Sequence, residues 1–322
     1  MIPSQVGAFT AAFRALSDAV GTVILGRPQA IRLVAVALLA RGHVLLEDAP
    51  GTGKTQLARS ISAVVSGVHN RIQFTPDLLP SDLLGVNAYD PRDASFQFRP
   101  GPVFCNILLA DEINRASPKT QSALLQVMEE GRVTIDGETR PVPAPFLVIA
   151  TQNQHEKQLG GVYELPAAQM DRFLIKTSIG YPGHEAAMAI LEQSGEMDRS
   201  ARLAPLMTTD QISELAEAAA TVAVDKSVID YALRLCELTR EDPKLAVGVS
   251  VRGTLALVRA AKVWALSAGR PFVIPDDIKQ LVKPVLAHRV ILEQDEAFGD
   301  TTAEQVLADI LERTAPPADR GA

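Results

Sequence analysis

The stretch "HVLLEDAPGTGKTQLARSISAVV", residues 43–65, constrains this chain more than any other. "HVLLE" is a short apolar run suited to a buried strand. A glycine turn follows. The next residues place Leu57, Ile61, Val64 and Val65 at helical spacing, and the helix is expected to close at Gly67. Strand, glycine loop and helix follow in the order a phosphate-binding loop needs, where an ordinary glycine turn is the plainer alternative. Such a loop works through backbone amides, a helix N-terminus and a lysine. Gly51 and Gly53 let the chain curl close to phosphate oxygens, and Lys54 can reach the β and γ oxygens. The Thr55 hydroxyl can ligate Mg²⁺. Pro50, Thr52 and Gln56 complete the loop. The strict pattern puts its first glycine at position 48, where this chain has Asp48. Aspartate tolerates turn geometry, so the departure does not remove the function.

A second buried strand, "CNILLADE" at 105–112, ends in two carboxylates. Ligands of open α/β sheets bind at that strand end. Asp111 is placed to hold Mg²⁺ through water, and Glu112 to polarise an attacking water. A third strand, "FLVIATQN", ends in Asn153, whose amide can touch a γ-phosphate if this strand lies beside the other two. Phosphoryl transfer gains from a guanidinium on the developing charge, often supplied by a neighbouring subunit. Arg115, Arg172 and Arg252 are the candidates. Arg172 follows Asp171 and can instead form a local ion pair. Arg252 sits in the first turn of a helix, against the dipole, which calls for a negative partner.

The remaining elements alternate. Helices are expected at 28–41 and at 118–130, the latter with Ser117 as N-cap, Pro118 at N1 and Gly131 after its end. Strands are expected at 71–74 and 173–179. The proline-rich region 75–104 reads as an insertion with a hairpin near 85–99, and 132–142 as a hairpin turning at Asp136-Gly137. The pattern predicts a parallel sheet covered on both faces. After "GYPG" at 180–183 only amphipathic helices follow, at about 184–194, 209–222, 226–240, 250–268, 276–288 and 302–313. The expected organisation is an α/β domain over 1–180, an all-α domain over 181–313 and a frayed tail at 314–322.

With 322 residues, 47% of them hydrophobic, the chain can bury large cores. A net charge of −7 weighs against a nucleic-acid partner. "LVAVALLA" at 33–40 is too short to span a membrane, and the N-terminus lacks a basic segment before an apolar core. Cys105 and Cys236 read as buried, reduced thiols of a cytoplasmic protein.

Together "LLEDAPGTGKT", "RIQFTPDLLPSDLLG", "FRPGPVFCNILLADEINRASPKTQSALLQVMEE", "VIATQN", "ELPAAQMDRFL" and "SVRGTLALVRAAK" resemble a MoxR-type AAA+ ATPase over roughly residues 20–290. The resemblance implies an αβα nucleotide domain followed by a small helical lid, ATP and Mg²⁺ bound between subunits of a ring, usually a hexamer, and ATP hydrolysis. Lys54, Thr55, Asp111 and Glu112 then fall on the two Walker motifs, Asn153 on sensor 1, Arg252 on the sensor 2 arginine of the lid, and Arg172 on the arginine finger. Arg115 is a further candidate for a contact between subunits. "VILGR" at 23–27, with Ile24 and Gly26, corresponds to the adenine-side segment, often written with Gln where this chain has Arg27. The insertion and the 132–142 hairpin correspond to the helix-2 insert and the pre-sensor-1 hairpin, expected to project toward the ring pore or its face. The family implies remodelling or maturation of a client protein, with a von Willebrand factor A domain partner. A magnesium-chelatase-like ATPase subunit and a nucleotide-gated scaffold with little turnover are the alternatives. "NQHEKQLGGVYELP" departs from the family pattern after the sensor asparagine, and "SVRG" stands where "SPRA" is frequent.

Overall fold

The computed structural model describes residues 2–92, 94–153, 162–192, 198–297 and 299–317. The loop departure at 154–161 and the end of the tail, 318–322, lie outside the described residues. Core-sheet strands and the longer helices are numbered here in chain order. Five parallel strands form the sheet: β1 (Val44–Asp48), β2 (His69–Gln73), β3 (Ile107–Asp111), β4 (Leu147–Asn153) and β5 (Ile175–Thr177). Their order is β5-β1-β4-β3-β2. Neighbouring strands all run parallel.

Side chains alternate across a strand, and the two faces divide accordingly. Val44, Leu46, Ile107, Leu109, Leu147 and Ile149 belong to one apolar cluster. Leu45, Leu108, Ala110, Val148 and Ala150 belong to the other. A strand buried on both faces needs apolar residues at every position, which is why these runs show no polar alternation. The first face is covered by α1 (Pro3–Gly21), α2 (Pro28–Leu39) and α3 (Lys54–Val64). The second is covered by α4 (Pro118–Glu130) and the insertion. Helix α1 lies outside the expected elements and buries Phe9, Phe13, Leu16 and Val20 on one stripe.

The helical region comprises α5 (His184–Glu192), α6 (Thr209–Ala220), α7 (Lys226–Glu241), α8 (Val251–Ser267), α9 (Pro275–Leu286) and α10 (Ala303–Arg313). Its core is continuous with that of α1 and α2. Helix α8 packs on α1, α2 and α9. This half is not purely helical. Leu245–Val247 pairs antiparallel with Ile291–Leu292, and Met207–Thr208 runs parallel to Val65–Ser66.

That last pairing corrects the expected end of α3. The helix stops at Val64, and Val65 is already extended (φ −107°, ψ 124°). Gly67 is not its cap. A Cβ there would lie 2.8 Å from Asn106 Oδ1, the oxygen that accepts the Val68 amide at 3.0 Å. Close approach, not helix termination, is what requires the glycine.

Other local signals hold. The Ser117 side chain accepts from Thr120 N, and Gly131 is left-handed (φ 63°). The 132–142 hairpin turns on Asp136 and Gly137 with φ 50° and 83°, both positive as a type I′ turn demands. The insertion forms a helical turn, Pro80–Leu84, then a hairpin of Gly85–Asp90 with Ser95–Pro100. The two hairpins touch: Asn87 Nδ2 donates to Asp136 Oδ2 at 2.6 Å, and the Arg140 guanidinium sits 4.2 Å from the Phe98 ring centre. Cys105 and Cys236 are both free and fully buried, in different clusters. Among the described residues no helix is long and apolar enough to cross a membrane.

Candidate functional site: a phosphate cleft and an arginine cluster

The C-terminal ends of β1, β3 and β4 meet at a cleft of about 470 Å³. It is lined by Pro50 through Gln56 and by Asp111, Glu112, Thr151 and Asn153. Strand β4 lies between β1 and β3, as the sensor reading of Asn153 requires, with Asn153 in register with Asp48. Gly51 and Gly53 have φ of 79° and 92°, with open space where a Cβ would sit, and Gly53 is the N-cap of α3. The loop therefore presents a concavity at a helix N-terminus, which suits phosphate. Lys54 Nζ donates to the carbonyls of Asp48 (2.8 Å) and Ala49 (2.7 Å), so the ammonium is folded over the loop mouth.

Asp111 is 4% exposed. Its Oδ1 accepts from Thr151 Oγ1 at 3.3 Å and from Thr55 Oγ1 at 3.5 Å, and its Oδ2 from Arg71 Nε at 2.7 Å. Thr55 and Asp111 are hard oxygen donors facing one another, a set that fits Mg²⁺ completed by phosphate and water. Glu112 takes a left-handed backbone (φ 56°, ψ 51°), uncommon for a bulky residue and concentrated at functional sites. Its amide donates to Thr151 Oγ1 at 2.9 Å, and its Oε2 accepts from Gln73 Nε2 (2.6 Å) and Arg115 Nη1 (2.8 Å). Arg115 thus holds Glu112 within the same chain.

Arg71 and Gln73 were missed in the sequence. They stand two residues apart on β2 and reach Asp111 and Glu112 respectively. The available signal was the polar alternation in "RIQ" on an otherwise apolar sheet.

Of the residues expected on the adenine side, Ile24 is 7% exposed. Gly26 (φ 72°) lies so close to α5 that a Cβ would stand 3.0 Å from Ala186 Cβ.

Arg172 and Arg252 are brought together, but not with the phosphate loop. Both bind Glu129 at the end of α4: Arg172 Nε at 2.8 Å and Arg252 Nη2 at 2.5 Å. Glu129 is the negative partner that Arg252 needs in its helix-N-terminal position. These bonds, Arg252 first, hold the Glu129 carboxyl below its usual range. Asp171 pairs instead with Arg289 Nε at 2.7 Å and lies 3.9 Å from Arg252 Nε. Arg289 is 7% exposed and also donates to the carbonyls of Phe173 (2.7 Å) and Val285. Burial brings its pKa down to about 10, with Asp171 opposing the fall. A second cavity of about 340 Å³ is lined by Arg41, His43, Glu129, Arg172, Arg252 and Arg259, among others.

His43, Gly42 and Leu174 precede β1 and β5, so this cluster sits at the N-terminal edge of the sheet. The phosphate loop leaves the C-terminal edge. Five residues of strand separate the two by about 16 Å at ~3.3 Å per residue. No single arginine side chain of this cluster covers that distance.

A parallel αβα core with a Walker loop and a following helical lid defines a nucleotide-binding ATPase of the AAA class. A family profile described as "ATPase family associated with various cellular activities (AAA)" matches residues 43–175, and an "AAA lid domain" profile matches 237–310. The chain is 43% identical to the uncharacterized protein YeaC of Bacillus subtilis, over 94% of each chain. It is 41% identical to the chaperone MoxR1 of Mycobacterium tuberculosis, over 92% of this chain and 80% of that one. A crystal structure provisionally described as an ATPase from Cytophaga hutchinsonii superposes with a TM-score of 0.89 at 34% identity, covering 98% of both chains. The chain belongs to the MoxR family of AAA ATPases.

Proposed function

We propose that this chain is an ATP-hydrolysing, chaperone-like ring subunit whose hydrolytic sites form between neighbours. One observation carries the reading. The phosphate loop, Asp111, Glu112 and Asn153 share the C-terminal edge of the sheet, while Arg172 and Arg252 share the N-terminal edge about 16 Å away. Two guanidiniums clustered away from their own phosphate site support a role at a neighbour's. In this reading Lys54 and the loop amides hold the β- and γ-phosphates. Thr55 and Asp111 hold Mg²⁺, which neutralises phosphate charge when bound. Glu112 orients the attacking water, Asn153 touches the γ-phosphate, and Arg172 and Arg252 neutralise charge on the neighbour's nucleotide. Head-to-tail contacts of this kind form rings where the rotation between neighbours closes. The paired hairpins, with Tyr89 and Phe96 exposed and stacked edge-to-face at 5.4 Å, are the surface offered to a client. A hexamer and a von Willebrand factor A domain partner are what the family resemblance adds.

The test is complementation. Glu112→Gln and Arg172→Ala each bind ATP and each lose hydrolysis. Mixed together they regain part of it, because some interfaces again combine an intact Glu112 with an intact Arg172. Absence of rescue in rings shown to be mixed would sink the trans assignment. Hydrolysis that Glu112→Gln leaves unchanged would sink the enzyme reading as a whole.

A further inference from the structure

The position where this loop departs from the strict phosphate-loop pattern has a partner set of its own. Asp48 ends β1 at 8% exposure. A buried carboxylate is costly unless its oxygens are satisfied. Asp48 Oδ1 accepts the amide of Ala49 at 2.9 Å, and Oδ2 accepts the amides of Ile179 (2.8 Å) and Gly180 (2.5 Å). The first bond stays within the phosphate loop. The other two cross to the chain segment that leads from β5 into α5.

That same segment packs on the adenine-side residues. A Cβ at Gly180 would stand 3.6 Å from Arg27 Nη2, and one at Gly26 would stand 3.0 Å from Ala186 Cβ. Ile24 and Ile179 belong to the same buried cluster. The crossover 179–186 is therefore held on one side by Asp48 and on the other by residues 24–27. Lys54 Nζ also donates to the carbonyls of residues 48 and 49, so the start of the loop is fixed by both its own lysine and the carboxylate. A glycine at 48 would keep the loop but leave the amides of Ile179 and Gly180 without this acceptor.

We propose that Asp48 is a positioning residue that sets the distance between the phosphate loop and the base-side segment 24–27, so that the site grips base and triphosphate as one body. The proposal rests on the nucleotide-site reading above. It separates two ligands. Inorganic triphosphate reaches only the phosphate cleft, whereas ATP must satisfy the cleft and the base side together. Preorganisation lost between the two halves weakens only the ligand that spans them.

The experiment is calorimetric titration of wild-type protein, Asp48→Ala and Asp48→Asn with Mg·ATP and with Mg·triphosphate. In Asp48→Ala, ATP affinity is expected to fall about tenfold, as the loss of a charge-assisted bond across the crossover implies. Triphosphate affinity is expected to stay within about twofold. Asp48→Asn keeps one accepting oxygen for Ile179 and Gly180 and is expected to fall between. It also decides the matter if Asp48→Ala does not fold. Equal losses for the two ligands, or an unchanged ATP affinity beside a lowered melting temperature, overturn the proposal. Wild-type protein that binds neither ligand would overturn the nucleotide reading instead.

Discussion

At the scale of single residues, short spacings carried the chemistry. Lys54, Thr55, Asp111, Glu112 and Asn153 converge on one cleft, and each was readable because a strand end delivers its last residues to a common edge. Asp48 was readable as tolerable but not as useful, since its amide partners lie at 179 and 180. Gly67 was misread for the same reason: the atom that excludes a side chain belongs to Asn106. The placement of Arg252 gives a prediction at this scale. Arg252→Ala should leave the ATP affinity of dilute, dissociated protein within about twofold, because no arginine at that edge reaches its own loop. If Arg252 acts in trans as proposed, hydrolysis by associated subunits should drop by at least about a thousandfold, the lower end of what a trans arginine contributes. Paired calorimetry and phosphate-release assays read the two effects separately.

At the scale of elements, local rules decided helix α4 and the hairpins almost completely. Ser117 caps α4 through its hydroxyl, so Ser117→Ala should cost about 1 kcal/mol. Chemical denaturation measures it, and a loss below a few tenths would show the cap to be replaceable. Gly137 holds φ 83° in the 132–142 turn, and Gly137→Ala should cost about 1 kcal/mol through left-handed strain. Strand β2 was legible as a strand, but its Arg71 and Gln73 were not legible as partners of the carboxylates. Strand order places β2 beside β3, and order is set by crossovers rather than by either strand's sequence. Phe9, Phe13, Leu16 and Val20 of α1 recur at helical spacing, but which core that stripe covers is decided by the fold.

At the scale of the whole molecule, the helical lid folds back on the N-terminal edge of the sheet and buries two histidines there. His43 donates through Nε2 to the Met128 carbonyl (3.0 Å) and accepts the Val148 amide at Nδ1 (3.0 Å), which leaves it neutral. Burial lowers its pKa from 6.5 to about 4, and burial followed by the Arg289 charge lowers that of His288 well below 6.5. The unfolded chain therefore binds more protons than the folded one in this range. Stability from His43 is fully present above pH 6.5 and is lost as pH falls toward about 4. At ~1.4 kcal/mol per pH unit, about 3 kcal/mol is lost across that window, with His288 adding in the same direction. Urea midpoints measured from pH 7 to pH 4 should fall accordingly, and His43→Gln should flatten the slope. A slope unchanged by that substitution would remove His43 as its source. The sequence by itself determined most of the core strands and longer helices, the tight turns and the phosphate-loop pattern, because those depend on side chains a few residues apart. Only the tertiary structure decided which edge each arginine occupies, what Asp48 holds and where the lid rests. Those outcomes are set by contacts between segments more than a hundred residues apart, such as Asp171 with Arg289 and Glu129 with Arg252.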